Sequence, residues 1–309
     1  ILSEKEEEKG MKRVVFETTP KMSTYLLFFG VGDVEWVTNE KDRRVRAAGM
    51  PWTTGHLAMG LEFGRKSLEF CETYFGIPYP MTKLDLIAVP DFAFGAMENW
   101  GAVVFRENLL LFDPGKTSQA GKERICEVIA HEIVHQWFGN LVSPVDWKYL
   151  WLNESFATFF ANRILDHYCP DWQVWDQFLY TQTSVAMVRD ALFKTTAIEI
   201  PGGEHVVINA ATAPIIYNKG GSILNQMRGF IGEESFQRGL AHYLASHAYD
   251  CAESRDLWEA YAVATDKPVT QMMKSWVEQP GFPIITVEQN GTEIILKQER
   301  FTYLPSDEE

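Results

Sequence analysis

KERICEVIAHEIVHQWFG (122–139) decides how the rest of the chain is read. Its apolar residues recur at helical spacing, Ser118 stands ahead as an N-terminal cap, and Gly139 is placed to end the helix. Within it lies His131-Glu132-Ile133-Val134-His135. Positions four apart on a helix differ by roughly 40° around the axis, so both imidazoles project from one face. That is the spacing with which two ligands reach one tetrahedral ion. Glu132 is turned roughly 100° from His131, close enough to address a water at the ion without being a ligand. Ile125, Val128, Ile129, Val134, Trp137 and Phe138 would bury the helix and keep its ligands rigid. Alone, the pentapeptide also fits two histidines and a glutamate on a partly exposed helix.

Eighteen residues separate His135 from Glu154, which lies in a second helical pattern, KYLWLNESFATFFANRIL (148–165). Trp151, Leu152, Phe156, Phe159 and Phe160 surround it, so a charged glutamate there needs a partner or a metal. Two histidines and one glutamate leave a zinc position open, the mark of a catalytic site. The residues therefore predict a zinc-dependent hydrolase with one Zn2+ per chain.

Upstream, KLDLIAVP (83–90) and AVVFRENLLLF (102–112) read as strands flanking DFAFGAMENWG (91–101). Small residues at Gly95-Ala96 let another backbone approach, and an extended peptide could pair along such an edge. Glu98 would then offer a carboxylate to a cationic group such as a free α-amine. From these residues alone, a turn with a solvent-exposed glutamate is equally expected.

HLAMGLEFGRKSLEFCETYFG (56–76) has helical periodicity up to Gly76, and residues 172–262 and 268–279 are largely helical in pattern, broken at Pro201-Gly202-Gly203 and Pro214. Residues 1–10 are charged and read as a loop or ragged end. MKRVVFETTP (11–20) and STYLLFFGVGDVEWV (23–37) read as two strands, the edge of a sheet lacking its other strands. Asn39–Arg44 reads as a linker. FPIITVEQNGTEIILKQERFTY (282–303) is a hairpin signal around Asn290-Gly291, the start of a β domain cut short.

The chain has 309 residues, 46% of them hydrophobic, so a large core can be buried. Its net charge of −14 makes nucleic acid an unsuitable partner. No apolar run approaches the ~18 residues of a membrane span. Cys71, Cys126, Cys169 and Cys251 form no Cys-x-x-Cys pair, which points to buried free thiols in a reducing compartment and a cytoplasmic location.

Taken together, GAMENWG (95–101), HEIVHQWFGN (131–140), WLNESFA (151–157) and YNKGGSIL (217–224), with MSTYL (22–26) before and GFPIITV (281–287) after, resemble the gluzincin zinc aminopeptidases. This group contains aminopeptidase N, the endoplasmic-reticulum aminopeptidases and the archaeal tricorn-interacting factors. The resemblance covers nearly the whole chain. It implies an α+β fold: the C-terminal strands of an N-terminal β domain over 1–38, a thermolysin-like catalytic domain over 39–279, and the start of a β-sandwich over 280–309. It implies zinc on His131, His135 and Glu154, with Glu132 as general base and Tyr217 stabilising the tetrahedral intermediate. Glu98 would bind the amine of a peptide with a free N-terminus, the Gly95–Ala96 backbone would align the peptide, and Met97 would border the pocket for the first side chain. The chain departs from the family at Thr212-Ala213-Pro214, where a Phe-Asp pair is usual, and at Thr195–Ile198, where a His-Pro pair is usual. The backing of Tyr217 is therefore expected to differ. The rival expectations are a thermolysin-type endopeptidase, an enzyme of the leukotriene-hydrolase type, which Gly95-Ala96 disfavours, and a zinc-binding module with little turnover.

Overall fold

The computed structural model describes residues 1–200, 202 and 207–303. Pro201 and Gly203, expected to break the helical region, lie outside the described residues, as do residues 304–309 of the expected β-sandwich start.

The charged N-terminus is not a loop. Strand β1 (Ser3–Glu6) pairs antiparallel with β2 (Lys12–Val15), setting Glu6 opposite Lys12. An ion pair from Lys12 to Glu4 ties the two strands, and Arg13 pairs with Glu7 just past β1, so charges that look like a ragged end are partners. The strand expected over 23–37 is mostly absent. A single 3-10 turn covers Thr24–Leu26, and only β3 (Glu35–Thr38) is extended and paired. Gly30, Gly32 and Asp33 lie between them, and glycine and aspartate both weaken strands.

β3 pairs antiparallel with β4 (Val45–Gly49), across the boundary expected at 38/39. The expected linker 39–44 is the turn between them: the Asn39 side-chain oxygen accepts from Lys41 N–H at 2.9 Å and Asp42 N–H at 3.3 Å. Helix α1 (Ala58–Phe75) follows and stops at Gly76 as expected. β5 (Leu84–Val89), β6 (Ala96–Met97) and β7 (Ala102–Arg106) complete a mixed sheet in the order β3-β4-β5-β7-β6. The pairs β4–β5 and β5–β7 are parallel, and β6 is an antiparallel edge. The near-continuous apolar run of β5 suits a strand buried on both faces.

Helix α2 (Gln119–Val134) begins at Ser118, whose Oγ accepts from Gly121 N–H at 3.1 Å. It ends four residues before the expected limit at Phe138. Gln136 N–H and Trp137 N–H first reach back only three residues, to Ile133 O and Val134 O; Asn140 N–H and Leu141 N–H then reach back five, to His135 O and Gln136 O, which widens the chain into a turn ending in β8 (Val142–Pro144). Gly139 has φ +120°, a conformation glycine tolerates, and a Cβ there would lie 3.0 Å from the Asn153 amide. This turn delivers the chain to α3 (Trp151–Tyr168).

Beyond α3 come α4 (Val174–Phe178), a π-helical turn over Leu179–Thr183, and α5 (Ser184–Asp190). A second π-helical turn, Pro214–Lys219, leads into α6 (Gly220–Ile231) and α7 (Glu233–Ser246). The expected helical run is interrupted by β9 (Asp250–Ala252), which pairs parallel with β8. Then follow α8 (Ser254–Ala264), α9 (Val269–Val277) and the expected hairpin, β10 (Pro283–Asn290) and β11 (Glu293–Arg300). Every residue of both hairpin strands is exposed. Among the described residues, no helix is long and apolar enough to cross a membrane.

Buried rings of α1, α3 and the turn after α2 pack together. Phe138 stacks on Phe156 with centroids 4.3 Å apart, and Phe75 meets Phe160 edge-on at 4.9 Å. Full burial of each such ring contributes roughly 1.5–3 kcal/mol, so the two helices that bear the site form its rigid base. Cys71 and Cys126 are buried free thiols as expected. Cys169 is half-buried and Cys251 exposed, because they stand at the end of α3 and in the edge strand β9.

Candidate active site

The last turn of α2 and the first turn of α3 converge on one point. His131 Nε2 lies 3.2 Å from Glu154 Oε2, His135 Nε2 lies 3.1 Å from His131 Nε2, and His135 Nε2 lies 3.3 Å from Glu154 Oε2. Ligands about 2.0–2.2 Å from a tetrahedral zinc would stand roughly 3.3–3.5 Å apart, so this triangle has the right size and donor set for that ion. His135 Nδ1 is 3.0 Å from the carbonyl oxygen of Phe138. A proton placed on Nδ1 leaves the Nε2 lone pair directed at the triangle. The wide turn after α2 thus orients the His135 ring as well as joining the helices.

Burial lowers the pKa of His131. For His135 burial works against the charge, but the carboxylates of Glu98, Glu154 and Glu132 outweigh it and push its pKa up to about 10. Burial also opposes the charge of Glu154, yet the two imidazoles hold its pKa well below the usual carboxylate range.

Glu132 and Glu98 complete a second group with His135, their nearest donor atoms all within 4.8 Å of one another. Glu132 is 6% exposed, and its Oε2 is buried with no hydrogen-bond partner among the described residues. Burial raises the pKa of both Glu132 and Glu98. Glu98 is buried, so the reading of 95–99 as a turn with an exposed glutamate does not hold.

Sequence reasoning assigned no role to the groups that fix Glu98. Gln136 Nε2 donates to the Glu98 carbonyl at 3.2 Å and Asn140 Nδ2 donates to it at 2.9 Å. Gln136 Oε1 also accepts from Gly101 N–H at 3.3 Å. Tyr25 Oη donates to Glu98 Oε1 at 3.1 Å. The available signal was a pair of amides, Gln136 and Asn140, beside an apolar run, since a buried amide needs partners. For Tyr25, 73 residues from Glu98 in the chain, spacing offered no signal.

Gly95, Ala96 and Met97 lead into Glu98 along the edge strand β6. Gly95 O accepts from Arg106 N–H at 2.9 Å, so the 95/106 pair is hydrogen-bonded. Ala96, opposite Phe105, is the next position in the ladder, and its N–H and C=O consequently face the open edge.

Tyr217 lies in the second π-helical turn, with its ring centroid 6.0 Å from that of His131 and nearly parallel to it at 14°. Such turns are frequent at functional sites. The turn is drawn onto α3 by Ser155, whose Oγ donates to Ile216 O at 2.6 Å. A Cβ on Gly220 would overlap Ser155, so this close approach requires glycine. Burial raises the Tyr217 pKa strongly, with Glu154 adding to it, so the phenol keeps its proton.

Residues 59–276 match the Peptidase family M1 domain, which places the chain among hydrolytic peptidases. It belongs to that family, the gluzincin aminopeptidases. The chain is 41% identical over 305 residues to a leucyl aminopeptidase of Saccharolobus solfataricus, covering 98% of this chain and 39% of that protein. It is 41% identical over 298 residues to tricorn protease-interacting factor F2 of Thermoplasma volcanium, covering 96% of this chain and 38% of that protein. Aminopeptidase M1 of Arabidopsis thaliana is 37% identical over 294 residues, covering 94% of this chain and 33% of that protein. The chain thus spans about two fifths or less of the length of these relatives.

Proposed function

We propose that this chain carries the catalytic centre of a zinc aminopeptidase, on a thermolysin-like fold, that removes the first residue from peptides with a free N-terminus. The observation that carries this reading is the charge of the cleft. Glu98 and Glu132 are buried beside His135, and the half-buried Glu154 meets His135 and His131. Three carboxylates cannot stay ionised there without cations. A divalent zinc on His131, His135 and Glu154 and one substrate ammonium at Glu98 would balance them.

Zinc held there would supply Lewis acidity, polarising the scissile carbonyl and lowering the pKa of a water to about 7. The remaining roles fall to the chain. A peptide adds to the open edge of β6 through Ala96, with Met97 bordering the pocket of its first side chain. Glu98 receives the α-ammonium and so sets the cut one residue from the end. Glu132, with its free Oε2, takes the proton of the attacking water and passes it to the leaving amine. Tyr217 keeps its phenolic proton and donates a hydrogen bond to the developing oxyanion. The catalytic unit is proposed to run from β3 to α9, with β10–β11 opening a further β unit.

Chelation is expected to abolish turnover, with activity restored by one equivalent of zinc. The melting temperature should fall as well, since zinc at 100 times its Kd stabilises the folded state by about 2.7 kcal/mol. Activity that survives full metal removal would refute the zinc reading. Glu98→Ala should reduce kcat/KM on free-amine aminoacyl anilides roughly 100-fold, mostly through KM, because a buried charge loses its partner. Inhibition by N-acetylated peptides should change little. Equal losses for both would sink amine recognition and favour an endopeptidase.

A further inference from the structure

Residues 22–26 lie far from the catalytic helices in sequence, yet they close one side of the site. Leu26 is buried, and its carbonyl accepts from Asn99 Nδ2 at 3.2 Å, beside Glu98. Ser23 Oγ donates to Ser143 Oγ at 3.1 Å, on the strand that follows the zinc-helix turn. The single 3-10 turn Thr24–Leu26 is therefore pinned on both sides, to the segment carrying Glu98 and to β8. Between these anchors stands Tyr25. Its hydroxyl donates to Glu98 Oε1 at 3.1 Å, and its ring packs at 59° against Trp147, with centroids 5.8 Å apart. Trp147 is 46% exposed, so the pair of rings continues from Glu98 toward solvent.

A carboxylate that receives an ammonium must present its oxygens in one orientation. The backbone of Glu98 is held by Gln136 and Asn140, but a fixed backbone leaves the side-chain torsions free. Among the described residues, Tyr25 is the side chain that donates to the carboxylate itself. A phenol is suited to this task, because its ring is locked by packing and its one donor points along a fixed direction.

We propose that Tyr25 is a positioning residue for substrate-amine recognition, fixing the Glu98 carboxylate through its hydroxyl while the 22–26 clasp holds its ring in place. This inference rests on the reading of Glu98 as the amine-binding group. It makes the N-terminal segment part of the specificity apparatus rather than a tether to it.

The test is a double-mutant cycle in the zinc-loaded protein, with leucine p-nitroanilide as the free-amine substrate. Tyr25→Phe keeps the ring and its packing and removes only the donor. It should raise KM roughly tenfold, the scale of a hydrogen bond to a charged group, with kcat within about twofold and the melting temperature unchanged. In the Glu98→Ala background the same substitution should leave KM unchanged, because the carboxylate it orients is gone. A merely structural role would lower the melting temperature or act equally in both backgrounds, and either result overturns the proposal. So does an unchanged KM for Tyr25→Phe when Glu98→Ala alone raises it. If Glu98→Ala itself leaves KM unchanged, the amine reading fails first and the role of Tyr25 falls with it.

Discussion

Glu132→Gln is expected to retain one zinc per chain and to lower kcat by about 10²–10⁴-fold, with KM changed by only a few-fold. The amide is nearly isosteric with the carboxylate, so the packing of α2 is preserved. What is lost is the ability to take a proton, and positioned general bases contribute on that scale, about 2.7–5.5 kcal/mol. The geometry explains why no neighbour would substitute. Of the three glutamates here, Glu132 has a buried Oε2 with no hydrogen-bond partner among the described residues, whereas Glu154 faces both imidazoles and Glu98 is engaged by Tyr25. Zinc content by elemental analysis and single-turnover rates on an aminoacyl anilide make the measurement. Wild-type turnover in a zinc-loaded variant would remove Glu132 from the mechanism. Loss of zinc would instead assign it a part in holding the metal.

The approach of His131 to His135 was legible because a helix repeats every 3.6 residues. The spacing of His131 and His135 fixes their common face, and the aromatic residues around Glu154 announce a buried carboxylate in need of a partner. The same logic covers α1, α3 and the final hairpin, whose patterns extend over many residues. What stayed hidden depends on contacts between distant segments. The β1–β2 pair reads as a charged tail until Lys12 meets Glu4 and Arg13 meets Glu7. Asn39 reads as part of a linker until its side chain closes the β3–β4 turn. β9 has only three residues and exists because β8 lies beside it. Even α2 stops short of its apolar pattern, since Trp137 and Phe138 remain buried in the wide turn as well as they would in a helix. Tyr25, Gln136 and Asn140 escaped for the same reason: a hydrogen bond across the fold leaves no period in the sequence.

The second large effect is expected away from the reacting atoms. Tyr217 shares its π-helical turn with Lys219, whose Nζ lies 2.7 Å from Asp190 Oδ2 at the end of α5. Both side chains are almost fully buried, at 6% and 2% exposed. Lys219 Nζ also donates to Gly281 O at 2.9 Å. Asp190 Oδ1 accepts from Gly281 N–H at 2.9 Å and from Thr195 Oγ1 at 3.0 Å. One ion pair thus joins α5, the turn bearing Tyr217, and the chain entering the last hairpin. It thereby fastens the turn that bears Tyr217 to α5 and to the chain at Gly281.

Lys219→Met should destabilise the protein by about 3–5 kcal/mol, since it leaves the Asp190 carboxylate buried without a counter-charge. With total stabilities of about 5–15 kcal/mol, that corresponds to a fall in melting temperature on the order of 10 °C. The double substitution Lys219→Met with Asp190→Leu should recover only part of the loss. Removing both charges relieves the desolvation cost, but Gly281 N–H and Thr195 Oγ1 lose their acceptor, at about 1–3 kcal/mol for the buried Gly281 N–H and less for the half-buried Thr195. Thermal unfolding of the wild type and the two variants at one zinc concentration measures this order. A single variant that melts within about 2 °C of the wild type would show that water reaches the pair. Full recovery in the double variant would show that Gly281 and Thr195 find other partners.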